Sequence, residues 1–169
     1  MITPDWVRLM AAYNAEMNRR IYAAAGRLPP ARRVEDRGAF FGSVQGTLSH
    51  LLWADRMWLH RFDGVEKPAG GLDASPGAFP DWPSLQAGRL ATDAAITHWA
   101  ARVDPGWLGT TLAWYSGALG REVSRPMAML VTHFFNHQTH HRGQVHALLT
   151  GLGEQTGDTD LAFILPAWQ

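Results

Sequence analysis

Through most of the chain, apolar residues recur at three- and four-residue steps. Trp6, Leu9, Met10, Tyr13, Met17 and Ile21 form one such stripe, the period of an amphipathic helix. Thr3 stands before it as an N-cap, with Pro4 at the first helical position. Gly26 and Pro29-Pro30 end it. A second helix is predicted from about Ala39 to Phe62, dense in Phe, Leu, Trp and Met. Its polar residues Gln45, Ser49, Arg56, His60 and Asp63 fall within an arc of roughly 60°. That arc is expected to face water. His50, about 115° from its centre, leans into the interior.

Residues 64–81 are rich in Gly, Pro, Ala and Asp and read as a long loop, either a lid or plain surface. Asp81 then caps a third helix running to about Val103, and Asp104-Pro105-Gly106 stops it. Residues 107–124 change character. Thr110 to Tyr115 favour strand, Ser116 to Gly120 can turn, and Glu122-Val123 can return. A short hairpin and an extended crossover both fit. A fourth helix starts near Arg125-Pro126, with Ser124 as cap, and runs to Leu149 or Thr150, with Gly151 just past its end. The apolar tail from Leu161 to Trp168 is expected to pack back on the fold. Four helices with two longer connections make an all-α four-helix bundle.

Composition narrows the class. The 169 residues, 46% hydrophobic and 18% charged, suit one domain over residues 1–169. Lys and Arg number 15 and Asp and Glu number 15, so no basic excess points to nucleic acid. The absence of cysteine removes disulfides, thiolate nucleophiles and Cys-ligated metals from consideration. No stretch reads as a leader or a membrane span, so the expected location is cytoplasmic, with no membrane partner.

Candidate chemistry concentrates on the fourth helix, where five of the eight histidines fall between His133 and His146. His133/His137 and His137/His141 are spaced i, i+4, and His137/His140 are i, i+3. Such pairs share one helical face, and two imidazoles so placed can reach one ion. The apolar stripe Met127, Leu130, Val131, Phe134, Val145, Leu148, Leu149 chooses among them. At about 100° per residue, His141 lies roughly 20° from its centre and His137 about 60°. His133 lies near 100°, and His140 and His146 near 120°. His137 and His141 therefore point inward, and His50 on the second helix supplies a third interior imidazole. Three nitrogens on facing helices leave positions for water or substrate, a catalytic rather than a closed arrangement. A His-Glu-x-x-His signature is absent, because Gln138 follows His137.

The run Asn136-His137-x-x-His140-His141-Arg142-Gly143-Gln144 resembles the DinB-like (YfiT-type) metalloenzyme superfamily. The segment Thr47-Leu48-Ser49-His50-Leu51-Leu52-Trp53-Ala54-Asp55-Arg56-x-Trp58 resembles that family's first ligand segment. The order of elements agrees over nearly the whole chain. The resemblance implies a four-helix bundle of up-down-down-up connectivity with a long extended crossover before the last helix, often homodimeric. It implies a divalent metal, most often nickel or zinc, with iron also admissible, held by His50, His137 and His141. His140, Arg142 and Gln144 match the motif without being ligands and are expected at the surface or in inter-helix hydrogen bonds. Relatives that work with low-molecular-weight thiols make a metal-dependent, thiol-dependent transferase acting on a small-molecule substrate the leading expectation. Metal-assisted hydrolysis and a non-catalytic metal-binding stress-response protein are the alternatives.

Several other residues carry expectations. Asp55 is either a hydrogen-bond acceptor behind a ligand histidine or the partner of an arginine such as Arg19 or Arg20. Trp53 and Met57 wall a pocket or are plain core. Arg121 and Arg125 hold an anion or are solvated. Trp114 and Tyr115 are candidates for a pocket mouth.

Overall fold

A computed structural model describes residues 1–117 and 119–165. The protein is mostly helical, and three of its long helices start at a side-chain cap. α1 (Pro4–Arg27) opens on Thr3, whose hydroxyl accepts from the Trp6 backbone N–H. A short α2 (Pro30–Val34) follows, since Pro30 sits well at a helical first turn as well as after a helix end. α3 (Val44–Asp63) ends on Gly64 in the left-handed conformation. α4 (Trp82–Arg102) is capped by Asp81, which accepts from Ser84 N–H. A one-turn α5 (Pro105–Leu108) precedes strands β1 (Thr111–Ser116) and β2 (Arg121–Pro126). α6 (Met127–Gly151) and a short α7 (Leu161–Ile164) complete the order.

α1 packs on α4 and α6, and α3 packs on α6 and α4. One core holds Val7, Leu59, Ile96, Trp99, Val131, Phe134 and Phe135. A second holds Ile21, Leu48, Leu52, Leu85, Val145 and Leu149. On the expected stripes Tyr13, Met17, Ile21, Met127, Leu130, Val131, Phe134, Val145 and Leu149 are buried, whereas Trp6, Leu9, Met10 and Leu148 are half-buried.

The structure corrects several boundaries. α3 begins at Val44, not near Ala39, because Gly42 adopts φ +74°, which breaks the helix, and Ser43 caps the new start. Phe40 and Phe41 thus lie in a tight turn closed by the Ala39–Gly42 bridge. A side chain at Gly46 would stand 2.4 Å from the Phe41 carbonyl oxygen, so only glycine lets this turn fold down on the helix. Residues 111–126 pair with themselves as an antiparallel hairpin instead of running across as one extended crossover, with Trp114 opposite Val123. Ser124 is therefore a strand residue, and α6 starts after Pro126 with no side-chain cap. Gly151 is the last residue of α6, and the left-handed glycine beyond it is Gly153, at φ +87°.

The tail returns along α1, held by polar bonds more than by apolar burial. Tyr13 donates to Thr159 O at 2.6 Å, and Arg27 donates to Glu154 and to Gln155 O. Phe163 stays 83% exposed. Trp168 and the end of the expected apolar tail lie outside the described residues.

The face of α3 expected to meet water is in part covered. Residues 64–81 fold over its first two turns through a short 3-10 helix, Leu72–Gly77. Gln45 donates to Pro80 O at 3.0 Å, and Ser49 donates to Ser75 O at 2.8 Å. Ser49 also accepts from Phe79 N–H. Buried polar groups find partners, and here the loop supplies them. Only Arg56, His60 and Asp63, farther along the helix, keep partial exposure.

A candidate metal centre

α3 and α6 bring His50, His137 and His141 together, with one ring nitrogen of each within 4.8 Å of the others. His50 and His141 are buried, and His137 is half-buried. His137 Nε2 lies 3.1 Å from His141 Nε2 and 3.5 Å from His50 Nε2. On a tetrahedral ion with bonds of about 2.0–2.1 Å, ligand nitrogens stand about 3.3 Å apart.

The outer nitrogens decide which lone pairs face inward. Ser75 Oγ has one hydrogen and donates it to Leu72 O at 2.6 Å. Toward His50 Nδ1, 2.8 Å away, it can therefore only accept. His50 thus carries its proton on Nδ1 and presents Nε2 unprotonated. His141 Nδ1 donates to Gln144 Oε1 at 2.8 Å, and the Gln144 amide turns its Nε2 toward His140 Nε2 at 3.2 Å. His141 Nε2 is accordingly also a free lone pair. Hydrogen bonds of this kind fix the tautomer and aim the ring of a metal-ligating histidine.

Burial keeps these rings neutral. It pulls the His50 pKa down to about 4, with the His141 charge adding to the effect. His137 falls to about 3 through burial first and then through its histidine neighbours. Burial also lowers His141, against a smaller upward pull from Gln144. Neutral imidazole is the form that binds metal. Two facing acceptors satisfy nothing, whereas a cation placed among the three nitrogens satisfies all of them. The donor set therefore fits a divalent ion of nickel, zinc or iron type, for which imidazole is a suitable ligand.

An aromatic shell surrounds the group. Phe41 stacks on His50 with ring centroids 3.7 Å apart and planes 20° apart, and stands 5.4 Å from His141. Trp53 and Met57 are buried core on that side of α3, with Trp53 donating to Ala69 O. On the other side His137 meets the exposed His133 at 5.7 Å, and His133 meets the edge of Trp58 at 5.2 Å. Trp58 in turn meets Trp114 of the hairpin at 5.8 Å. Tyr115 alternates to the opposite strand face and is 63% exposed, so Trp114 alone approaches the site.

The remaining candidates sit elsewhere. Asp55 pairs with Arg89 of α4 at 2.6 Å, not with Arg19 or Arg20, and braces no ligand histidine. Arg142, expected near the surface, is buried; it lies over the Tyr13 ring and donates to Asn14. His146 bonds to Thr156 of the tail at 2.8 Å. Arg121 and Arg125 are exposed on β2. Ser75 and Phe41 carry no signal in the sequence. One lies in a Gly/Pro-rich loop and the other in an expected helix, and only folding brings them to His50.

A helix pair that presents three convergent imidazoles, with the motif Asn136-His137-x-x-His140-His141 on one helix, defines a class of helical, histidine-clustered proteins. The chain belongs to the DinB family, whose family model matches residues 1–167. No curated protein and no solved structure matches it significantly. Among the described residues no helix is long and apolar enough to cross a membrane.

Proposed function

We propose that residues 1–169 form one DinB-like domain, a four-helix bundle of up-down-down-up connectivity, that binds one divalent metal through His50, His137 and His141. The observation that carries this reading is the convergence of three Nε2 atoms, with the outer nitrogens of His50 and His141 aimed by Ser75 and Gln144. The protein acts as a metal-dependent transferase that uses a low-molecular-weight thiol. A divalent ion bound by neutral ligands keeps its full charge and lowers the pKa of a thiol that approaches it.

The chain's own residues set the rest. Ser75 and Gln144 hold the ligand rings, Phe41 keeps water from one side of His50, and the half-buried His137 leaves the opposite side approachable. Transfer to a thiol is favoured over hydrolysis because, among the described residues, no free carboxylate acts on the three rings. The charges acting on the three rings, among the described residues, come from other histidines. Asp55, a carboxylate on the same helix as His50, is held by Arg89. The family reading also implies a cytoplasmic homodimer, which sedimentation of the purified protein would test.

Elemental analysis of untagged protein, beside His50→Ala and His137→Ala/His141→Ala variants, tests the metal site. About one equivalent of nickel, zinc or iron in the parent and none in either variant is expected. A parent that takes up none of these ions when they are added would sink the reading. Thiol binding is then followed by absorbance of the nickel-loaded protein titrated with 2-mercaptoethanol.

A further inference from the structure

Among the described residues, three guanidinium groups lie over aromatic rings. Arg33 covers Trp82 at 4.7 Å and donates to Leu28 O at 2.6 Å. Arg142 covers Tyr13 at 5.6 Å and donates to Asn14 and Thr139. Arg61 lies 4.7 Å from the Trp58 ring and 5.7 Å from the Trp114 ring. Among the described residues it makes no hydrogen bond and no ion pair. Arg61 is half-buried, and burial alone acts on its charge, pulling its pKa below the ordinary value. Stacking occupies the faces of a guanidinium and leaves its N–H groups free at the edges. Arg61 is thus oriented by two tryptophans, and among the described residues no acceptor meets its N–H groups.

Its place relative to the histidines gives that observation meaning. Arg61 is three turns beyond His50 on α3, about 16 Å along the axis and only about 20° around it. Side chains in mutual contact connect the two: His137 to His133, His133 to Trp58, and Trp58 to Arg61. One end of this track offers lone pairs for a metal and the other a planar cationic fork.

We propose that Arg61, lying against Trp58 and Trp114, is the subsite for a carboxylate at the far end of a small extended molecule whose near end reaches the three-histidine group. The planar fork suits a carboxylate, which it can bind through two parallel hydrogen bonds. The proposal rests on the thiol-dependent reading above and narrows its cosubstrate to one bearing a carboxylate remote from its thiol. Trp58 and Trp114 hold the fork in place, and the exposed His133 stands between Trp58 and His137.

The test compares glutathione, whose carboxylates stand away from its sulfur, with its dimethyl ester on nickel-loaded protein by calorimetry. Glutathione is expected to bind about tenfold tighter than the ester, as loss of a charge-assisted hydrogen-bonded pair implies. In Arg61→Gln that preference falls to within about twofold, and Arg61→Lys retains part of it because the charge remains. Binding of 2-mercaptoethanol, which has no carboxylate, is the same in all three proteins. S-methylglutathione added to metal-free protein separates the two readings. If it binds the parent but not Arg61→Gln while no thiol engages the metal, the anion subsite stands and the thiol reading fails. Equal binding of acid and ester by the parent, or an undiminished preference in Arg61→Gln, overturns the proposal. Circular dichroism melts of both variants show whether Arg61 instead serves to hold the two tryptophans in place. If Arg61→Gln unfolds, the Arg61→Lys preference decides.

Discussion

Two polar clusters lie inside this protein, and they are built on opposite principles. Around Arg89, charges answer one another. Its guanidinium reaches Asp55 at 2.6 Å and Asp93 at 2.8 Å, and Asp93 accepts from Asn14 and Asn18. Burial works against the Arg89 charge, but the two carboxylates outweigh it and carry its pKa above the ordinary value. Around His137, by contrast, the free lone pairs of His50 and His141 converge with no charged group among them. Both clusters sit among the same long helices. The first sets one guanidinium against two carboxylates and joins α1, α3 and α4. The second gathers three neutral rings between α3 and α6. A buried polar group is therefore evidence of a ligand site only when its partners are missing, and α3 supplies one group of each kind, Asp55 and His50.

The sharpest way to break this contrast is to remove Asp55. Asp55→Ala leaves Arg89, 3% exposed, short of a counter-charge. A loss of about 3–5 kcal/mol in urea-unfolding free energy is expected, since removing one partner strands the other's charge. A loss under about 1 kcal/mol would mean that Asp93 alone compensates Arg89.

The matching change in the other cluster is His137→Ala. Metal affinity is expected to drop more than the roughly 10–100-fold that loss of an outer partner costs. Unfolding of the metal-free protein should move by no more than about 1 kcal/mol, because the deleted ring had no partner there. Metal titration and urea melts on the same preparation check both halves.

Ser75→Ala is subtler. It frees the His50 tautomer without touching a ligand, so metal affinity should fall about 10–100-fold with the three histidines intact. Unchanged affinity in a competition titration would show that burial and Phe41 suffice to aim His50.

The smallest effect is expected at the rim of the charged cluster. The Arg19 hydrogen bond, helped by Arg20, holds the Glu16 carboxyl down to about 2 from an ordinary 4.5. A carboxyl with a depressed folded pKa stabilises above its unfolded pKa and loses that contribution as pH falls through the folded value. Glu16→Gln should therefore lower stability at neutrality and flatten the profile between about pH 4.5 and 2, so that its difference from the parent vanishes toward pH 2. Thermal melts across that range measure it.

Much of this could be read from residue order. Helical period and caps placed α1 and α4 closely, and the angular position of each histidine around α6 ranked its burial correctly from His141 through His137 to His133. What failed were judgements that depended on a distant segment. Ser49 looked solvent-facing because its neighbours around α3 are polar, yet residues 64–81 cover it. For Arg142 both the surface and an inter-helix hydrogen bond were open, and the second holds, because α1 meets it with Tyr13 and Asn14. Asp55 was rightly expected in a pair or a brace, and the partner proved to be an arginine on α4, since helix angle says which way a side chain points but not which helix lies there.

By itself, then, the sequence determined which helices form and which imidazoles turn inward, because both follow from the local 3.6-residue period and from caps. Only the tertiary structure decided that His50 meets His137 across two helices, that a loop hydroxyl sets its tautomer, and that Arg61 lies against two tryptophans with no acceptor among the described residues. Those facts depend on contacts between segments far apart in the chain, and a local period carries no information about them.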